Sequence, residues 1–154
     1  MIAITTDQDA RVEIPYRGGH FTAVIRPLTE RERLRCNGTF MRVSQGLTKL
    51  TRRKEAVAAL KTSTDSEAVD ASVKETELLM RDMESTLTAM LECVSYGLRG
   101  IEGACDGDGH PIRLPKEREG VQGWLEQHLS YGSILELTCA VMAHNTLTDR
   151  DRGN

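Results

Sequence analysis

Asp106, Asp108 and Glu117 fall at positions 1, 3 and 12 of a potential calcium loop, the spacing at which EF-hand carboxylates converge on one cation. Position 6, where that loop turns on glycine, is Pro111, and position 5 is His110. The better reading of Asp106-Gly107-Asp108-Gly109 is a tight polar turn, with glycine at positive φ and aspartate accepting local amides. The histidines (His20, His110, His128, His144) and cysteines (Cys36, Cys93, Cys105, Cys139) show no HExxH, CxxC or HxH spacing, so neither a metal nor a cofactor is expected. No GxSxG, Walker loop or GxGxxG occurs, and no carboxylate pair sits in an apolar pattern that would mark acid/base work. The chain is not expected to be an enzyme.

Two other groups of residues suggest binding. Arg52-Arg53-Lys54, with Arg31, Arg33, Arg35 and Arg42, could form a basic face for DNA, but no aromatic side chains are interleaved to stack bases. The net charge of −3 also argues against broad nucleic-acid binding. Met80, Met83, Leu87 and Met90 could line a partner groove, because methionine adapts to partners without one fixed shape. The plainer reading of these methionines is core filler.

The elements that carry these residues follow from patterning. Apolar residues make up 39% of the 154-residue chain but aromatics only 4%, which favours helix packing around Leu, Val, Met and Ala in a single domain. A β-hairpin is expected over 10–27. In it Val12 and Ile14 lead into Pro15-Tyr16-Arg17-Gly18-Gly19, Phe21, Ala23 and Ile25 alternate on the way out, and Gly-Gly supplies the positive φ of the turn. Thr29-Glu30-Arg31-Glu32 is a capping box that opens a first long helix. Residues 29–61 carry nine Lys/Arg against three Asp/Glu, and residues 62–96 carry two against eight. These stretches of +6 and −6 read as two helices of nearly equal length joined through Thr62-Ser63-Thr64-Asp65-Ser66, an antiparallel hairpin whose halves attract.

The expected seam uses Phe40, Val43, Leu47, Leu50 and Val57 against Val73, Met80, Met83, Leu87, Met90 and Val94. It places Phe40 opposite Leu87, Leu47 opposite Met80, Lys49 near Glu77, Arg42 near Glu84, and Arg52, Arg53 and Lys54 near the stretch from Asp70 to Glu77. Gly38 and Gly46 mark either close contact or a bend. At roughly 50 Å each, such helices project, bend or are buried by another chain. Residues 97–115 are glycine- and proline-rich and read as irregular, with a short second hairpin at 106–109. Helices at 116–129 (Val121, Trp124, Leu125 and Leu129 on one face) and 133–147 close the chain, and 148–154 are expected to fray. The fold class is mainly α (α+β). With no signal-peptide or membrane-span pattern, a cytoplasmic setting with buried, reduced cysteines is expected.

The run Phe21-Thr22-Ala23-Val24-Ile25-Arg26-Pro27-Leu28-Thr29 is followed by a helical middle. Then come Leu98-Arg99-Gly100-Ile101-Glu102-Gly103, Asp106-Gly107-Asp108-Gly109-His110-Pro111-Ile112 and two closing helices. This layout resembles the tail assembly chaperones of tailed bacteriophages and prophages. The long charged hairpin is a departure, since many such proteins have a shorter middle. The resemblance implies a non-catalytic, homo-oligomeric protein in the bacterial host cytoplasm, one that keeps the tail tape measure protein soluble while the tube polymerises. It carries over no catalytic residues. The competing expectation is a small regulatory protein that binds DNA through the basic helix 29–61.

Overall fold

The computed structural model describes residues 8–61 and 66–152. In chain order the elements are β1 (Ala10–Tyr16), β2 (Gly19–Ile25), α1 (Glu30–Lys61), α2 (Ser66–Gly97), β3 (Leu98–Glu102), α3 (Arg118–His128) and α4 (Tyr131–Arg152). The chain is mainly α with one small antiparallel sheet, and the turn expected at 62–66 lies largely outside the described residues. Two compact units form, one from residues 1–39 with 90–154 and one from residues 40–89.

The first unit is built on the sheet, in the order β1-β2-β3. Ile14 faces Phe21 and Val12 faces Ala23 across the hairpin, and Phe21, Ala23 and Ile25 are buried as their alternation requires. The turn differs from expectation. Arg17 (φ 45°) and Gly18 (φ 78°) take the positive φ angles, rather than Gly18 and Gly19. A two-residue loop of that kind matches the strand twist. It leaves Tyr16 opposite Gly19, so the Tyr16 ring meets Phe21 edge-on at 5.7 Å between centroids.

β3 replaces part of the irregular segment. Its pairing with β2 (Thr22 with Glu102, Ala23 with Ile101, Val24 with Gly100, Ile25 with Leu98) leaves Arg99 as a bulge residue. Gly100 depresses local strand propensity, the long-range ladder to β2 overrides it, and the strand ends before Gly103. Beyond β3, a bridge between Cys105 and Pro111 closes the short second hairpin expected at 106–109.

α1 opens as its capping box requires. Thr29 Oγ1 accepts the Glu32 amide at 3.2 Å, and Glu32 Oε1 accepts the Thr29 amide at 3.1 Å. Glu32 also receives both ends of the Arg26 guanidinium, which clamps the end of β2 to the start of α1. That fork holds the Glu32 carboxyl down at about 2. One residue before the helix, the Leu28 amide donates to Asn145 Oδ1 at 2.7 Å, and Asn145 Nδ2 donates to the Val141 carbonyl at 2.9 Å. A buried amide therefore fixes α4 against the strand-to-helix link.

α4 begins earlier than expected because Ser130 caps it: its Oγ accepts the Ser133 amide at 3.2 Å. It also continues to Arg152 rather than fraying from 148, since no glycine or proline follows Gly132 before Gly153. Val121, Leu125, Ile134, Leu137 and Val141 pack into the core with Ile14, Phe21 and Ile25. Cys36 and Cys93 belong to this core, and burial pushes the Cys36 thiol up to about 11 and the Cys93 thiol further. Cys105 and Cys139 were expected to be buried but are exposed.

The second unit is the outer part of the helical hairpin. Val43, Leu50 and Val57 of α1 are buried, with Gly46 and Arg53 in the intervening heptad positions. On α2 the inward residues are Glu75, Asp82, Thr86 and Ala89, one residue round from the expected seam of Val73, Met80 and Leu87. Gly46 sits against Thr86: a Cβ there would come within 2.4 Å of Thr86 Oγ1. Lys49 accordingly reaches Asp82, at 3.7 Å, rather than Glu77. The Lys49 and Gly46 contacts are displaced by about a turn from the expected register, while the expected approach of Arg53 to the stretch from Asp70 to Glu77 forms at Glu75.

Candidate protein-binding surface

The rotation of α2 begins with Arg53. It occupies an inward position of α1, and its side chain is only 22% exposed. A guanidinium held there needs acceptors, because a charge taken out of water is costly unless it is hydrogen-bonded and paired. α2 supplies them. Arg53 Nε donates to Asp82 Oδ2, and Arg53 donates a second bond, 3.1 Å long, to Glu75 Oε2. Asp82 and Glu75 lie seven residues apart, two turns along one helix face, so both can turn inward together. A helix face turned inward by one residue swings its neighbours by about 100°. Val73 and Met80, expected in the seam, therefore face outward.

Outward-facing apolar side chains on α2 form a row. Val69 is 53% exposed, Val73 54% and Met80 62%. Their spacing of four and seven residues puts all three on one face, which continues into the half-buried Met83 and Leu87. Phe40 and Leu47 of α1 are also half-buried. Next to the apolar row runs an exposed charged row in which Asp70, Glu77 and Glu84 alternate with Lys74 and Arg81 on the same helix face. Of the four residues singled out from sequence, Met80 is the most accessible, and Met83 and Leu87 are partly so. Met90 is fully buried in the first unit, so it is core and is not presented to a partner.

Comparison with family models, curated proteins and solved structures returns no match. The surface is therefore judged on its geometry alone. Val69, missed from sequence, had a signal: it extends the 3/4 spacing of Val73, Met80, Met83 and Leu87 toward the start of α2, while Val73 was read as a seam residue rather than as part of a binding surface.

The remaining candidates resolve differently. Asp106, Asp108 and His110 bring ligand atoms within 4.8 Å of one another, all exposed. Asp106 Oδ1 accepts the Asp108 amide at 2.9 Å and the His110 amide at 3.0 Å, while Gly109 takes φ 81°. This is the polar turn read from sequence. Within the basic helix, Arg53 and Lys49 are engaged by carboxylates of α2. Among the described residues, no helix is long and apolar enough to cross a membrane.

Proposed function

We propose that this protein is a non-catalytic binding module of the tail-assembly-chaperone kind, cytoplasmic and homo-oligomeric. Its client, a tail tape measure protein, engages the outer face of α2. The observation that carries this reading is the row Val69, Val73 and Met80, three large apolar side chains each more than half exposed on one helix. Val69 and Val73 sit one turn apart and Met80 stands two turns further on, and exposed apolar side chains grouped on one helix face mark interaction sites. The neighbouring row, Asp70, Glu77 and Glu84 interleaved with Lys74 and Arg81, suits a client segment that is itself an amphipathic helix with charges of both signs along its edge, the helix-in-groove mode of recognition. The family resemblance supplies the identity of the client. The alternative, DNA binding by the basic helix, is less well supported because Arg53, at the centre of the Arg52-Arg53-Lys54 run, is held by Asp82 and Glu75 within the hairpin.

Co-expression with a tape measure protein from the same genome tests the proposal. The expected result is a soluble complex that co-elutes on size exclusion. A client that stays insoluble, together with salt-sensitive binding of duplex DNA by the purified chain, would favour the alternative.

A further inference from the structure

β3 is an edge strand. Its ladder runs to β2 on one side, and among the described residues its other edge makes no backbone hydrogen bond over 98–101. The chain returns past this edge only at its far end, where the Ile112 amide donates to the Ala104 carbonyl at 2.9 Å. From there residues 112–115 diverge toward α3. The space between them and β3 is a groove of about 550 Å³. Leu98 and Val121 are buried beneath it, and Ile101, Ile112 and Leu114 are half-buried along its sides.

The rim of this groove is cationic. Arg26, Arg99, Arg113, Lys116 and Arg118 all line it, and among the described residues no carboxylate does. Three of these are already placed: Arg26 holds Glu32, Arg99 Nε lies 2.9 Å from Asp9, and Arg118 stacks 4.0 Å over the Tyr96 ring. Arg113 and Lys116 are exposed and have no ion-pair partner among the described residues. Charge on an edge strand can simply guard it against pairing with other copies. Here Arg113 and Lys116 come from a separate segment and face the strand across an apolar floor.

We propose that the free edge of β3 is a docking strand for an extended, acidic peptide segment of a partner protein. The peptide adds a fourth strand through backbone bonds to 98–101. Its alternate apolar side chains settle on Leu98, Ile101 and Leu114, and its carboxylates meet Arg113 and Lys116. A single-stranded nucleic acid would match the charge but would find no aromatic platform in the lining and would leave the strand edge unused. This site is separate from the face of α2 and does not depend on the client proposed for it.

The test is titration of the full-length, isotopically labelled chain with an acetylated, amidated (Glu-Val)₄ peptide, followed by amide resonances. The expected result is shifts confined to residues 98–101 and 112–115, with affinity at least tenfold weaker in Arg113→Glu/Lys116→Glu at unchanged circular dichroism. The neutral pair Arg113→Gln/Lys116→Gln is expected to weaken binding by a smaller factor, and (Lys-Val)₄ is expected not to bind. No shifts at millimolar peptide, equal binding by the fully N-methylated peptide, or tighter binding of an eight-nucleotide oligothymidylate at the same residues would each overturn the proposal.

Discussion

Arg53 reaches from the buried side of α1 to Asp82 on α2, and this ion pair stands in the seam that the apolar spacing fills with Leu50 and Val57 on α1 and Met83 on α2. Hydrophobic periodicity and charge disagree about which face of α2 turns inward, and charge wins because Arg53 lies within the α1 seam. Arg53→Met leaves Asp82 and Glu75 close together without their shared donor. It is expected to lower the thermal midpoint of the hairpin clearly more than the double change Arg53→Met/Asp82→Leu, in which no unpaired carboxylate remains at position 82. Thermal melts of the two variants followed by circular dichroism decide the point. Equal losses would mean that the pair does not set the register.

The Arg26 fork makes stability depend on acid. Glu32 titrates near 2 in the folded chain against an ordinary value of 4.5, chiefly because it accepts hydrogen bonds from Arg26. A depressed carboxyl contributes stability that is full above about pH 4.5 and is lost as the pH falls toward 2. Solvent screening at this partly exposed site limits the contribution to about 1 kcal/mol. Glu32→Gln is therefore expected to be less stable than the parent at pH 7 and to approach it near pH 2. Urea melts across that range measure it.

Gly38 and Gly46 look alike in the sequence, and the structure separates them. A Cβ on Gly38 meets nothing within 4 Å, so Gly38→Ala is expected to stabilise by about 0.5–1 kcal/mol through helix propensity alone. A Cβ on Gly46 runs into the buried, branched Thr86 side chain, 2.4 Å from Oγ1 and 3.0 Å from Cγ2. Gly46→Ala is expected to destabilise despite the same propensity gain, and adding Thr86→Ala is expected to recover part of the loss. Chemical denaturation of the three variants checks the contrast.

Much of the first unit was legible in the sequence because its signals are local. The capping box at Thr29 and Glu32, the alternation of Phe21, Ala23 and Ile25, and the Asp106 turn each lie within a few residues, and each formed as read. β3 was not legible, because Gly100 and Gly103 argue against a strand and only its distant partner β2 makes one. The α2 face was half legible. Its 3/4 spacing identified an apolar row, but whether that row faces α1 or solvent depends on Arg53, which takes the seam position between Leu50 and Val57. Met90 shares the spacing of Met80 and Met83 yet is fully buried in the other unit, a difference that spacing cannot express.

The four cysteines divide into two classes that a thiol reagent can count. Cys105 and Cys139 are exposed and are expected to react quickly with Ellman's reagent at pH 8. Cys36 and Cys93 are buried with raised thiol pKa values and are expected to react only as fast as the fold opens. Two fast and two slow equivalents, merging into four fast ones in denaturant, is the predicted result. Four fast equivalents under native conditions would place Cys36 and Cys93 outside a packed core.

Val73→Asp/Met80→Asp asks whether the proposed client binds the outer face of α2. Both side chains are more than half exposed, so the double change is expected to leave the circular dichroism and the thermal midpoint nearly unchanged. The measurement is the amount of tape measure protein held in soluble complex on co-expression, variant against parent. The expected result is a soluble complex with the parent and at least a tenfold loss with the variant. Retention of the complex by a folded variant would contradict it.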